Sequence, residues 1–409
     1  MNADFWSSVE SGDYVDEMRS ELSSHGVQMV SRFRVSRRDY QAVSTPCGRA
    51  WLRWQGYVAY PILLAADFAS RRSPEVSIVT TNPFLAPWIA TWLASGSRQI
   101  VNLVYDAYPE ALEVAGAIPA GGFRARMIAA ATNDTFRRCA ANVFLGKRLF
   151  DHATARHGGI PRSTVIPVGA AARCFARAAP RPRPPHEPVR VVYCGHLGRM
   201  HDVRTFAEGC RLGIEATDAR AIDVRFHVTG PRVEELNQAL GMTGSDKSRH
   251  FPGGLTVTVA GPTADRDWHD LMLSADIGLV TMRPGAETVV MPSKTYSAMV
   301  AGQAILAVCC LNSDLADLVL EHDCGWVVVP EAAGAASLVS LLPGRVFSGA
   351  AGLREVLGLI ASDPEQLQRK RANAYDAGHR LFSAAVVAKQ WSDLLGQVAG
   401  RAPAFGARP

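Results

Sequence analysis

The stretch Met291–Val308, MPSKTYSAMVAGQAILAV, is the part of the sequence that indicates an α/β fold most clearly. Pro292 suits the first turn of a helix, and apolar side chains then follow at helical spacing. Gly302 is the residue type that ends helices, and residues 305–308 are an uninterrupted apolar run. The stretch therefore predicts a helix that turns directly into a buried strand.

The helix start in this stretch also indicates a binding function. Ser293 and Lys294 lie at its first turn, where free N–H groups and the helix dipole favour phosphate. Lys294 adds a mobile cation, in a chain that has five lysines against 38 arginines. An ordinary surface lysine is the alternative interpretation.

The same alternation of strand and helix extends along both halves of the chain. Predicted strands cover residues 76–81, 100–105, 142–145 and 164–167, then 189–194, 224–229, 255–260 and 277–280. Strands that alternate with helices form parallel βαβ units. We therefore expect two doubly wound, Rossmann-like domains. Residues 15–22 predict the first helix and 27–30 the second strand, so a first strand is missing, either because the chain starts late or because the domain is trimmed.

The proline-rich segment 176–189 is the predicted domain boundary. We expect an N-terminal acceptor-binding domain over residues 1–175 and a C-terminal nucleotide-sugar-binding domain over 190–375. The remaining residues, 376–409, predict a C-terminal helix that crosses back to the first domain.

Composition is that of an ordinary globular protein, 48% hydrophobic and 20% charged over 409 residues. No run of eighteen apolar residues and no basic-then-apolar leader is present, so neither a membrane span nor a secretory signal is expected. The eight cysteines form no C-x-x-C pair, which favours reduced thiols. A cytoplasmic protein is predicted, with association at the inner membrane face left open.

Charge is uneven along the chain. Residues 1–180 carry 20 basic and 14 acidic side chains, and the densest cluster is Arg32, Arg34, Arg37 and Arg38. Such an excess attracts an anionic membrane face or a phosphorylated acceptor, although a solvated surface explains it equally well. Nearby aromatic residues are typical of a core, so nucleic acid is not expected.

Glycines at strand ends in the second half predict a ligand site. Gly195 and Gly198 flank a turn whose N–H groups can cradle a diphosphate, and Arg199, His196 or His201 can add positive charge. A plain turn is the alternative for this motif taken alone. In open parallel sheets ligands lie beyond the carboxyl ends of the strands, where these residues fall.

These motifs together resemble the donor site of bacterial GT-B glycosyltransferases of family four. The resemblance is carried by Pro292-Ser293-Lys294 with Tyr296, Met299, Ala301, Gly302 and Ala304, by residues 193–198 and by residues 259–263. Weaker likenesses occur at 80–83, 104–110 and 166–170 in the first half.

The resemblance implies two Rossmann-like domains facing a cleft, with retention of anomeric configuration and no metal. Lys294, Ser293 and the Gly195–Gly198 turn would bind the donor diphosphate, helped by Arg199. Gly261, Pro262 and Thr263 would lie near the nucleobase. Preorganised cations and N–H groups would stabilise charge on the departing diphosphate.

Two positions depart from the pattern. Ser297 stands where the family often has a glutamate that binds the donor ribose, and a hydroxyl cannot clamp a diol as a carboxylate does. The family's other glutamate falls near Val289, so Glu287 is taken as the catalytic candidate, with an exposed loop glutamate as the alternative.

Asp106, just past a strand end, is the second catalytic candidate. It can orient or deprotonate an acceptor hydroxyl, or it can simply cap the next helix. His152, His157 and His269 have no ligand-like spacing, so no metal is assigned.

The expected function is transfer of a sugar from a nucleotide-diphosphate donor, most simply a UDP-sugar, to a saccharide or lipid-linked acceptor in cell-surface polysaccharide synthesis. Two alternatives stay open. One is a nucleotide-sugar epimerase or hydrolase of the same architecture, and the other is a non-catalytic sugar-nucleotide-binding partner of a glycosyltransferase.

Overall fold

The chain divides into two compact units. Unit 1 comprises Met1–Ala171, Val289–Met291 and Ala384–Pro409, and unit 2 comprises Ala172–Thr288 and Pro292–Ser383. The computed structural model describes residues 1–10, 12–36, 39, 43, 45–69, 74–94, 97–175, 179–184, 186–215, 219–244, 246–331 and 345–400. The first crossing between units, at residues 171 and 172, precedes the proline-rich segment.

Unit 1 contains a parallel sheet with the spatial order β2-β1-β3-β4-β5-β6. Its strands are β1 (Asn2–Trp6), β2 (Gln28–Arg32), β3 (Val76–Thr80), β4 (Gln99–Val104), β5 (Ala141–Phe144) and β6 (Ser163–Val165). The central strand β3 is buried along its whole length, as expected for a parallel strand covered on both faces. The predicted strands of this half are therefore confirmed.

Helices connect these strands. They are α1 (Asp13–Ser24), α2 (Pro46–Trp54), α3 (Tyr60–Ala69), α4 (Ala86–Leu93), α5 (Glu110–Val114), α6 (Phe123–Arg138) and α7 (Lys147–His157). A π-helical turn, Gln55–Ala59, joins α2 to α3. The helix expected at residues 15–22 is α1, and the strand expected at 27–30 is β2.

The prediction that the first strand is missing is wrong, because β1 fills that position between β2 and β3. Asp4 in the middle of β1 hides the strand in the sequence. In the structure Asp4 is 2% exposed and lies 2.8 Å from the buried Arg98 guanidinium, which also donates to Ser77 Oγ at 2.7 Å. A buried charge is tolerated when it is paired and hydrogen-bonded, so a partner 94 residues away allows the strand to form.

Unit 2 contains a larger sheet with the spatial order β14-β13-β12-β11-β7-β8-β10-β9. Its strands are β7 (Val189–His196), β8 (Ile222–Thr229), β9 (Ser248–Phe251), β10 (Leu255–Ala260), β11 (Ile277–Thr281), β12 (Ala304–Val308), β13 (Gly325–Val329) and β14 (Val346–Ser348). All the pairings described are parallel except that of the edge strand β9 with β10. Strand order reverses at β7, between β8 and β11, and such a switch point is where open α/β sheets bind ligands.

The helices of unit 2 are α8 (Arg204–Leu212), α9 (Val233–Leu240), α10 (Asp265–Ser274), α11 (Lys294–Val300), α12 (Asp314–Glu321), α13 (Gly349–Ser362) and α14 (Pro364–Phe382). The last helix, α15 (Ala384–Val398), belongs to unit 1 and packs on α1. As predicted, α11 leads into the buried strand β12. The chain is thus an α/β protein with two Rossmann-like units.

The described part of the proline-rich segment, residues 179–184 and 186–189, is tied to unit 2. Arg183 Nε lies 2.7 Å from Asp276, a carboxylate that is 1% exposed, and its Nη1 lies 3.0 Å from Glu187. The ion pair with Asp276 therefore holds this part of the segment on unit 2.

None of the eight cysteines, all of which lie in the described part of the chain, forms a disulfide bond. Among the described residues, none of the helices combines the length and hydropathy that a bilayer crossing requires.

Candidate functional site

The candidate site lies in unit 2 at the carboxyl end of β7, beside the switch point. A turn follows β7 and is held from two sides by backbone hydrogen bonds. Leu197 N donates to Thr229 O at the end of β8, at 2.6 Å, and Arg283 N after β11 donates to Met200 O at 2.9 Å. The turn is therefore fixed to both strands that flank β7.

Two glycines make this close approach feasible. Gly195 has a φ of +122° and Gly230 a φ of +121°, a region that side chains rarely adopt. A Cβ at Gly230 would lie 2.6 Å from the carbonyl oxygen of Leu197, so only glycine lets the two segments touch. Gly195 is exposed at the end of β7, which leaves its backbone accessible to a ligand.

Lys294, the first residue of α11, places its ammonium group at this turn. Its Nζ lies 3.6 Å from the centre of the Tyr193 ring and 3.5 Å from His201 Nε2. No carboxylate among the described residues forms an ion pair with it. Burial lowers the pKa of Lys294 to about 7, an effect that the neighbouring Cys194 opposes. The group is thus a partly desolvated cation that lacks a counter-ion.

The helix contributes less than the lysine does. α11 has only seven residues, and Ser293, the exposed residue before it, makes no side-chain capping hydrogen bond. Ser297 is half-buried one turn further on, and its carbonyl oxygen accepts from Ala301 N at 3.1 Å. The Lys294 side chain is therefore the stronger attraction for an anion here.

His201 connects Lys294 to the turn. Its Nδ1 lies 3.1 Å from Gly198 N and 3.2 Å from Gly198 O, while Nε2 faces the ammonium. Burial, together with the charge of Lys294, lowers the pKa of His201 to about 3. In the tautomer that carries the proton on Nδ1, the ring donates to Gly198 O and offers its Nε2 lone pair to Lys294.

The two histidines of the turn consequently do not supply the positive charge expected of them. His201 is neutral at pH 7, and burial also lowers the pKa of His196. The prediction that they add charge is wrong, because the sequence does not show that Lys294 lies beside them. Arg199 is exposed in the same turn.

The predicted nucleobase segment follows β10 next to the end of β8. Gly261 and Pro262 are exposed, and Thr263 Oγ1 lies 2.6 Å from His227 Nδ1. Burial lowers the pKa of His227, so the ring is neutral at pH 7. A neutral ring and a hydroxyl form a polar, uncharged pair, which is compatible with a nucleobase edge.

Glu287 lies in the loop after β11. Its Oε2 accepts from Gly285 N at 2.5 Å, which ties the carboxylate to its own turn. Burial raises the pKa of Cys310 to about 12, and the charge of Glu287 adds to that rise. The side chain is half-buried rather than a freely solvated loop residue.

Asp106 lies in unit 1, just after β4. It forms an isolated antiparallel bridge with Val290, and Tyr108 Oη lies 3.5 Å from its carboxylate. Burial raises the pKa of Asp106 to about 6, although the Tyr108 hydroxyl moderates the rise. The capping position of α5 is occupied by Pro109, so Asp106 does not cap that helix.

Sequence reasoning missed the polar residues around Asp106. A cavity beside it has about 20 Å³ of space for water centres, enough for one water molecule, and is also lined by Asn102, Thr135 and His157. Asn102 is 1% exposed, donates to Asn142 Oδ1 at 3.1 Å, and leaves its own Oδ1 without a hydrogen-bond partner. An asparagine inside an apolar strand was the available signal.

The chain was compared with known proteins. No protein-family model and no curated protein matches the sequence. Among solved structures, HepE from Anabaena in complex with UDP and glucose is similar with a TM-score of 0.64 and 13% identity, covering 97% of this chain and 99% of its own. Sucrose-phosphate synthase from Thermosynechococcus elongatus is similar with a TM-score of 0.64 and 13% identity, over 98% of this chain and 100% of its own.

A third similar structure has a different chemistry in its name. It is a Listeria monocytogenes protein that was assigned as a UDP-N-acetylglucosamine 2-epimerase without proof of activity. Its TM-score is 0.54 at 10% identity, over 98% of this chain and 97% of its own. At these identities the likeness establishes the fold. This chain has the fold that the GT-B glycosyltransferases share, and its activity is a separate question.

Proposed function

We propose that the chain is a glycosyltransferase that takes its sugar from a nucleotide-diphosphate donor, most simply a UDP-sugar. The observation that carries the proposal is the Lys294 ammonium, which lies beside an exposed glycine turn at the switch point and has no carboxylate partner among the described residues. Keeping a desolvated cation unpaired is costly unless an anionic ligand completes the site.

The donor diphosphate would occupy the space in front of Gly195 and Gly198. Lys294 would neutralise the charge that develops on the diphosphate as the sugar leaves, and the turn would supply N–H donors. Because this cation is part of the protein, we expect no metal to be needed. Thr263 and His227 would meet the nucleobase, and Ser297 would offer one hydrogen bond to the ribose. Similar structures that hold UDP or UDP-glucose support the choice of base.

Asp106 is the residue we propose for the acceptor. A carboxylate whose pKa is near 6 is ionised at neutral pH yet basic enough to take a proton from a hydroxyl. Retention of configuration, Glu287 as a second catalytic group, and a saccharide or lipid-linked acceptor in polysaccharide synthesis rest on the family resemblance.

The alternative of a nucleotide-sugar epimerase is favoured by one observation, the epimerase among the similar structures. Incubation of donor without acceptor separates the two, because an epimerase converts the donor sugar and a transferase at most hydrolyses it slowly. A non-catalytic role loses one of its arguments, since β1 completes the unit 1 sheet.

The test is a panel of nucleotide sugars, each added to the purified chain with EDTA present. The correct donor should raise the melting temperature, because a ligand at a hundred times its dissociation constant adds about 2.7 kcal/mol. The Lys294→Met variant should lose this shift and lose donor turnover by about 100-fold or more.

Lys389→Met is the matched control, because Lys389 is exposed and pairs with Asp393 on its own helix. It should behave as wild type. Asp106→Asn should keep the thermal shift while transfer to acceptor falls. Full donor turnover by Lys294→Met would refute the proposal.

A further inference from the structure

Exposed apolar side chains are concentrated in unit 1. Of the large apolar residues that are exposed in the described part of the chain, all but Leu212 belong to unit 1. Six of them lie on the consecutive helical segments α2, the π-helical turn and α3, and we call them the α2–α3 patch: Trp51, Trp54, Tyr57, Val58, Ile62 and Leu63. A patch of this kind on a soluble domain marks an interaction surface.

The α2–α3 patch reverses the usual order of a surface helix. The inner face packs through buried Tyr60, Leu64 and Phe68, as expected, but the outer face is also apolar. Trp51 is 57% exposed, Ile62 is 62% exposed, and the rings of Trp51 and Trp54 stack at 5.0 Å. About half of each indole residue faces water, an exposed area that the core of unit 1 does not use.

Neighbouring helices extend this surface. α4 packs on α3 and α6 packs on α4, so the three lie in a row. Each of the two further helices also carries exposed apolar side chains, Trp92 and Leu93 on α4, and Phe123 and Met127 on α6. The apolar surface therefore spans several helices rather than one turn.

Positive charge accompanies the α2–α3 patch. Between residues 22 and 66 the sequence has six arginines and a single acidic residue, Asp39. Arg53 is exposed on α2. Arg34 Nε donates to Gln55 Oε1 at 2.5 Å, which ties the Arg32–Arg34 segment, with exposed Phe33, to the π-helical turn between α2 and α3.

We propose that the α2–α3 patch docks on an anionic lipid bilayer. Tryptophan and tyrosine favour the bilayer interface, where the ring is in an apolar environment and the polar edge stays hydrated. Arginines beside them are attracted to anionic headgroups. A second copy of the chain is disfavoured as the occupant, because two such basic faces repel each other. This inference does not depend on the proposed function.

The test is flotation of the full chain with vesicles, at low and high salt. Wild type should float with vesicles of phosphatidylcholine mixed with phosphatidylglycerol and much less with phosphatidylcholine alone. The triple variant Trp51→Ser/Trp54→Ser/Ile62→Ser should bind at least about tenfold more weakly. Arg32→Gln/Arg53→Gln should lose about tenfold on the anionic vesicles only.

Leu212→Ser removes an exposed apolar side chain from unit 2 and should float as wild type does. The triple variant should keep its circular dichroism spectrum and its thermal shift with donor, so that loss of flotation is separate from loss of the donor site. Wild type that stays unbound at low salt would overturn the proposal. So would a triple variant that floats normally, or a vesicle-independent dimer that the triple variant disrupts.

Discussion

Unit 2 contains two lysines whose ammonium groups are shielded from solvent. They differ in whether a carboxylate lies beside the ammonium. Lys370 on α14 is 2% exposed, lies 5.2 Å from the Trp326 ring centre, and reaches Asp323 Oδ1 at 2.9 Å. Lys294 also lies on an aromatic ring, that of Tyr193, but its Nζ lies 3.5 Å from Nε2 of the neutral His201 rather than against a carboxylate. Within the part of the chain that the structure describes, Lys370 has a carboxylate partner and Lys294 has none.

This difference separates structure from function. The pairing of Lys370 with Asp323, whose side chain is 40% exposed, offsets part of the cost of burying the ammonium. A desolvated cation without a counter-ion keeps that cost in the free protein. Such a cost is typical of groups that await a charged ligand. Lys370 is accordingly a structural residue, and Lys294 is the residue that we expect to bind an anionic ligand.

The largest expected effect is on stability: replacing lysine with methionine should change the free energy of unfolding in opposite directions at the two positions. Lys370→Met should lower the free energy of unfolding by about 2 kcal/mol, because Asp323 then keeps, among the described residues, Arg345 alone at 3.5 Å. Lys294→Met should raise it by about 1–2 kcal/mol at pH 7, because it removes the desolvated ammonium. Urea denaturation without ligand measures both.

The stability gained by Lys294→Met should depend on pH. The unfolded chain holds this proton up to about pH 10, while the folded chain loses it near pH 7. Wild type therefore grows more stable as pH rises from 7 toward 10, and its deficit against Lys294→Met should close. Destabilisation by Lys294→Met at pH 7 would show that the ammonium has a partner.

The affinity for the donor should also depend on pH, with a smaller effect than the one on stability. A bound diphosphate favours the charged lysine and raises its pKa, so binding above pH 7 takes up a proton. Affinity should then fall by up to about tenfold for each pH unit above 7. Calorimetry in buffers of different ionisation enthalpy measures the uptake, and no uptake at pH 8 would argue against contact between Lys294 and the diphosphate.

The smallest effect is expected at His201. His201→Ala removes the link between Lys294 and Gly198 and should weaken donor binding by about fivefold. His201→Gln keeps an oxygen that can accept from Lys294 and should bind within about twofold of wild type. Equal losses in both variants would mean that the ring has another role.

Apolar patterning predicted most of the fold. Strands such as Val76–Thr80 and Ala304–Val308 are buried on both faces, so their sequences are unbroken apolar runs. Asn2–Trp6 was missed because its central Asp4 is compensated by Arg98, a residue far away along the chain. Local patterning cannot reveal a charge that a distant partner neutralises.

The site was predicted in outline only. Gly195, Gly198 and Lys294 could be identified as candidates from the sequence, because glycine turns and a rare lysine are local features. The neutrality of His201 is not legible, since it arises from burial and from a lysine 93 residues further along. Asn102 near Asp106 was missed although its place inside an apolar strand was a local signal.

By itself the sequence determined the α/β alternation, the two repeats of it, and the position of a candidate anion site after Pro292. These follow from periodicity and from residue types that act within a few positions. Only the tertiary structure decided that Lys294 has no counter-ion among the described residues, that His201 stays neutral and that α2 turns its tryptophans outward. Charge state and exposure depend on which distant residues approach a group, and folding alone sets that.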